Sequence, residues 1–178
     1  LGGDAPFEAK RFACQQLAVI GTQSSVPALG ALLKGDGTAG LACLALVNNP
    51  SPEADRVLAE AAASLGGAAR LQAIGALGVR RHAPSVPALS RLALEPDSQV
   101  AGAAITALGR IGDDPAVRTL KQLCALPDAK RADIARVALL HAADQWIKDG
   151  NRPPALALYN ELVQPTLSPG FFERSDAQ

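Results

Sequence analysis

Six aromatic residues in 178, no methionine, two histidines and three cysteines leave this chain short of the side chains that most often carry chemistry. Neither His82 nor His141 is followed by glutamate, and no His, Cys, Asp or Glu group shows metal-ligand spacing, so no cofactor or metal is expected. Net charge is missing too. Seventeen basic and seventeen acidic residues cancel, which removes the bulk argument for a nucleic-acid or anionic-membrane partner. No apolar run approaches the roughly 20 residues of a membrane-spanning helix, because Gly, Arg or Asp interrupts every stretch, and no membrane insertion is expected. The chain opens on Leu1, so its native start and any signal peptide are expected to lie outside the fragment.

What is present is alanine, leucine and valine. Hydrophobic residues make up 48% of the chain, and small aliphatic side chains let helix axes approach closely. Their order is periodic. ACQQLAVIGTQSSVPALGALL (13–33), AIGALGVRRHAPSVPALSRLA (73–93) and AITALGRIGDDPAVRTLKQLC (104–124) align without a gap. Leu17, Leu46, Leu77 and Leu108 share one register, spaced by 29, 31 and 31 residues. Four residues earlier stand Ala13, Ala42, Ala73 and Ala104, and three earlier Cys14, Cys43, Ile74 and Ile105. Those i, i+3, i+4 offsets trace one helical face.

A second leucine column, Leu29, Leu58, Leu89 and Leu120, always follows the first by 12 residues. Constant length inside each unit and variable length between units is what stacked helical hairpins require, since connecting loops absorb insertions without shifting packed residues. Turn residues fall between the paired helices at Gly21, Asn48-Asn49-Pro50, Arg81-His82-Ala83-Pro84 and Gly112-Asp113-Asp114-Pro115. Pro27 and Pro87 fit the first turn of a second helix, where a missing N–H does no damage. Asp97 and Asp128 fit N-caps. Asp55 breaks the Val26, Val86, Val117 column and predicts that its helix starts or sits differently.

The expected fold is therefore all-α, a right-handed α-solenoid over 1–164 of about five stacked hairpins near 7–34, 37–65, 68–94, 97–125 and 128–164, with an irregular tail or a truncated next repeat at 165–178. The fifth unit reads as longer. DAKRADIARVALLHAADQWIKDG suggests a helix of five or six turns ending at Asp149-Gly150, and RPPALALYNELV a partner with Ala155, Leu158, Tyr159 and Leu162 on one side. In the tail, Phe171-Phe172 reads as a frayed end or as a pair that docks on the last hairpin or a neighbour.

Repeats of about 30 residues with turns like ALGRIGDDPAV resemble HEAT-like repeats of the kind named after phycobilisome lyases, over roughly residues 8–163. The runs RFACQQLAVIGTQSSVPALGALL, LGVRRHAPSVPALSRLA and AADQWIKDGNRPPALALYNELV look, more narrowly, like HEAT-repeat regions of large exported planctomycete and verrucomicrobial proteins. That resemblance implies an accessory segment of a multidomain bacterial protein, exported or periplasmic, with cytoplasmic location still open. Other branches fit less well. The two-iron HEAT hydroxylases carry repeated His-Glu pairs, and this chain has none. A bilin lyase would need a tetrapyrrole pocket, for which no dedicated motif stands here. HEAT-like DNA glycosylases present cationic and aromatic residues on the concave face, whereas here the second helices that offer Arg56, Arg91 and Arg118 also offer Glu53, Asp55 and Glu60.

The function expected is non-catalytic: a protein–protein interaction, scaffold or spacer segment whose partner is another protein or a neighbouring domain. No nucleic acid is expected. In stacked hairpins the second helices line the concave side, and residues two positions either side of the leucine face outward. Arg56, Glu60, Arg91, Arg118 and Gln122 are the candidate contacts on that ridge. The alternative is a HEAT-like enzyme, bilin-lyase-like or glycosylase-like, or a nucleic-acid-binding solenoid. Cys14, Cys43 and Cys124 read as small core residues, with Cys14 and Cys43 too far apart to bridge. Arg80-Arg81 reads as a solvated basic turn.

Overall fold

The computed structural model describes residues 5–35 and 37–163, and all regular structure there is helical. The helices are α1 (Phe7–Ile20), α2 (Val26–Leu32), α3 (Ala39–Asn48), α4 (Pro52–Ser64), α5 (Gly67–Val79), α6 (Val86–Leu92), α7 (Ser98–Ile111), α8 (Asp114–Cys124), α9 (Ala129–Lys148) and α10 (Arg152–Val163). They form two layers. In the first, α1, α3, α5, α7 and α9 each pack broadly on the next odd-numbered helix; the even-numbered helices lie against that row.

Local chemistry sets the ends. Ser51, Asp97, Asp113 and Asp128 accept hydrogen bonds from backbone N–H groups in the first turns of α4, α7, α8 and α9, satisfying donors that a helix start leaves orphaned. Gly112 ends α7 at φ +64°, a left-handed conformation that glycine adopts without a Cβ clash. The shift in α4 anticipated from Asp55 is real, but proline is its cause. Pro27 has no N–H to offer the Gln23 carbonyl, so Gln23–Ser25 closes as a 3-10 turn before α2; Pro87 does the same to Ala83–Ser85 before α6. The same register positions in α4 and α8 hold Arg56 and Arg118, which can donate, and both helices begin three residues earlier. Since α8 keeps Val117 in the valine column, Asp55 is not needed to explain the early start.

Both leucine columns form the core. Leu29, Leu58, Leu89, Leu120, Leu46, Leu77 and Leu108 are buried, with Ala42, Ala73, Ala104, Ile74 and Ile105 between them. Leu17 and Ala13 are only half-buried, because no described element covers the far side of α1, where Phe12, Val19 and Ile20 stand exposed. The odd layer closes on small residues: a Cβ built on Gly78 or Gly109 would fall 2.9 or 2.8 Å from the Cβ of Ala107 or Ala138 on the next helix. At the far end α9 runs twenty residues and stops before Asp149 and Gly150, and Ala155 and Leu158 of α10 are buried against the core with Tyr159 and Leu162 beside them. Phe171-Phe172 lies outside the described residues.

The solvated basic turn expected at Arg80-Arg81 fails at Arg80. Arg80 is not solvated: its side chain is 11% exposed and pairs with Asp55, Nε to Oδ1 at 2.5 Å and Nη2 to Oδ2 at 3.0 Å. Its Nη1 also donates to the carbonyls of Leu46, Val47 and Asn49, at 2.8, 3.0 and 2.5 Å. Arg81 pairs with Asp149 at 2.8 Å. A fork of five donors suits a turn rich in unpaired carbonyls, and Asp55 neutralises the charge that burial would otherwise penalise.

Candidate functional site

The five residues expected to carry contacts all stand exposed on the even-numbered layer: Arg56 and Glu60 on α4, Arg91 on α6, Arg118 and Gln122 on α8. Each lies two positions from a buried leucine of its own helix, and that offset turns a side chain away from the core. Their surroundings differ. Arg56 is already occupied, with Nε donating to both Glu53 oxygens at 3.0 and 3.1 Å and Nη1 to Glu60. The Arg56 hydrogen bond holds the Glu53 carboxyl below its usual range. Water screens this exposed trio, so it stabilises α4 little; its consequence is that the Arg56 charge is compensated on its own helix. The side chains of Arg91, Arg118 and Gln122 make no hydrogen bond or ion pair among the described residues, and so remain available.

Two clefts flank α4 in the even layer. That between α2 and α4, about 390 Å³, is walled by Glu53, Arg56 and Glu60 on one side and by Pro27, Gly30 and Lys34 on the other. The second, about 310 Å³, separates α4 from α6 and is lined mainly by alanine and leucine, with Arg91 among its lining residues. Sequence reasoning located the ridge and missed both clefts. The legible signal for the second was alanine at both Ala59 and Ala88, register equivalents of Gly30 and Val57 one hairpin earlier and of Ser90 and Thr119 one hairpin later.

The groups that could suggest catalysis sit in environments that quiet them. Cys14 and Cys43 are buried, and desolvation pushes both thiols up, Cys43 to about 11; a nucleophilic thiol needs the opposite shift. Cys124, expected in the core, is only partly buried, and its thiol is raised by the same cause. His82 Nδ1 lies 2.7 Å from Ser85 Oγ within its turn. Among the described residues no three His, Cys, Asp or Glu side chains are grouped to hold a metal ion, and no helix is long and apolar enough to cross a membrane.

No curated protein matches the chain. The family model for HEAT repeats matches residues 45–140, from the end of α3 into α9 and just over half of the sequence. That span holds three of the four leucines of each column, Leu46, Leu77 and Leu108 with Leu58, Leu89 and Leu120, and all five ridge residues. With an all-helical two-layer stack of hairpins around it, the chain belongs to the HEAT-repeat family.

Proposed function

We propose that this chain is a non-catalytic interaction segment: a right-handed superhelix of five repeats, near 7–34, 37–65, 68–94, 97–125 and 128–164, within a larger exported bacterial protein. It holds another protein or a neighbouring domain. The observation that carries the reading is the contrast within the even layer. One residue type, leucine, fills the buried column in four successive helices, while two positions away the exposed ridge runs Ala31, Glu60, Arg91, Gln122 and Pro27, Arg56, Pro87, Arg118. Stacking constrains the first set; the second is free to suit a partner. The ridge mixes Arg and Glu, with Arg56 compensated internally, which fits a protein surface better than a polyphosphate.

Salt dependence separates the classes. Binding to protein through locally paired opposite charges falls modestly with salt, whereas contacts to several phosphates make log affinity fall steeply with log salt. Titrating labelled single-stranded and duplex DNA at low and moderate salt is expected to show negligible binding at moderate salt. Sub-micromolar, steeply salt-dependent binding that disappears in an Arg56→Ala, Arg91→Ala, Arg118→Ala triple variant would replace this reading with the nucleic-acid one.

A further inference from the structure

Successive pairs from α2 to α8 in the even-numbered layer meet through different side chains. Where α2 meets α4, Gly30 faces Val57, and a Cβ on Gly30 would lie 3.2 Å from Val57 Cγ1. Where α6 meets α8, Ser90 Oγ and Thr119 Oγ1 are 3.0 Å apart. Between α4 and α6 the two corresponding positions are Ala59 and Ala88, and both side chains stop at Cβ. Neither can reach across. The cleft there, about 310 Å³, reaches the small end of the roughly 300–1,000 Å³ range of ligand sites, and its lining is the more aliphatic of the two that flank α4. Ala62, Ala63 and Leu92 line it, down to the buried Leu77 and Leu89.

Charge in this cleft is one-sided. Arg70 at the edge is fully engaged: it forms a two-pronged pair with Glu95 at 2.9 and 3.2 Å and donates to the Ala62 carbonyl at 3.0 Å. Arg91 is exposed and has no partner among the described residues, so the charged groups of the lining sum to one uncompensated cation. No aromatic side chain is present for a base to stack on.

We propose that the cleft between α4 and α6 receives an aliphatic side chain from a segment of a partner protein, and that a carboxylate within two residues of it on that segment pairs with Arg91. The proposal rests on the reading of the chain as a protein-interaction segment. The aliphatic group gains by leaving water for a wall of alanine and leucine. The guanidinium offers a planar fork that a carboxylate can meet with two parallel hydrogen bonds. Anchor and charge together supply both affinity and orientation, as at the centres of small interfaces.

The test is selection from a random heptapeptide phage library on the intact chain, followed by fluorescence polarisation with the selected peptides synthesised and labelled. Selected peptides are expected to share Leu, Ile or Val within two positions of Asp or Glu. They should bind at least about tenfold more weakly to Ala88→Leu, which fills the cleft from an exposed position, and to Arg91→Glu, and equally well to Arg118→Glu. Circular dichroism melts of all three variants control for folding. Peptides that bind Ala88→Leu and Arg91→Glu as tightly as the parent but lose Arg118→Glu would overturn the cleft and leave the interaction reading standing. Failure to select any reproducible binder would overturn both.

Discussion

Replacing Gly78 by alanine puts a methyl carbon 2.7 Å from Ala107 Cα, 2.9 Å from its Cβ and 3.2 Å from its carbonyl oxygen. Two of those three atoms are backbone, so relief requires α5 and α7 to separate. Overpacking of this kind costs about 1–3 kcal/mol, offset by the roughly 1 kcal/mol that alanine gains over glycine inside a helix. Gly75, one turn earlier in α5, supplies the control, because a Cβ there meets nothing within 4 Å. Gly75→Ala should therefore show the propensity term alone and stabilise by about 0.5–1 kcal/mol. Subtracting the two variants cancels the propensity and unfolded-chain terms, and leaves the steric cost of about 1–3 kcal/mol. Urea denaturation followed by far-UV circular dichroism reads that difference. For a chain of this length it corresponds to melting points about 2–4 °C apart per kcal/mol. If Gly78→Ala is as stable as Gly75→Ala, the close α5–α7 approach is wrong. Gly109→Ala repeats the test against Ala138, whose carbonyl oxygen would lie 2.6 Å away.

Removing either partner of the Asp55–Arg80 pair, by Asp55→Val or Arg80→Ile, should cost about 3–5 kcal/mol, because each leaves a largely buried charge alone. The double variant installs the Val and Ile that Val86 and Ile111 supply at the same register, and should recover the part of the loss due to the unpaired charge, while the Leu46, Val47 and Asn49 carbonyls stay without their donor; a double-mutant cycle without coupling would refute the pair's importance. Leu89→Asp buries a charge between repeats and should unfold the middle of the stack, so an unchanged dichroism spectrum and melt would refute the register. Cys43, with its thiol pushed up to about 11, should be alkylated at pH 8 on the order of a hundredfold more slowly than in urea; equal rates by mass spectrometry would show that the site is open.

The core was legible because two rules overlap in it. Helical offsets of three and four mark a face, and a repeat of about 30 residues marks it again, so one misleading residue cannot hide Leu46 or Leu120. Caps and the proline turns were legible for a similar reason, each resting on one local hydrogen bond. Arg80 was not. A solvated arginine and a buried one read identically in a turn, and single-residue chemistry assigns both to the surface. The discriminating signal lies in the register: Arg80 shares its position with Ile20, Asn49 and Ile111, two of them buried, and Asp55 breaks the valine column of the helix that Arg80 meets. Two charges of opposite sign, each out of place in its own column, announce a pair. The clefts were missed because they depend on two facing side chains, such as Ala59 and Ala88, read together, which a column read one position at a time does not display.

The two layers hold together by different means, and that difference explains where recognition can reside. In the odd layer, Gly78 and Gly109 bring backbones close enough that a methyl group is too much. Polar side chains then link the hairpin turns in sequence. Asn49 donates to the Thr22 carbonyl at 3.0 Å, Arg80 to three carbonyls around Asn49, and the Trp146 indole to the Gly112 carbonyl at 2.8 Å. Every such bond answers a buried or half-buried backbone group, so a substitution there leaves a polar atom without its partner. The even helices instead touch one another narrowly, through Gly30 with Val57 and Ser90 with Thr119, and each is anchored to the odd layer by its leucine. Residues off that leucine make few contacts that folding depends on. Arg91 or Arg118 can therefore change with small cost in stability, while their spacing stays set by the stack beneath them. A rigid layer that fixes position, under a permissive layer that supplies chemistry, is the physical condition for one repeat fold to acquire different partners.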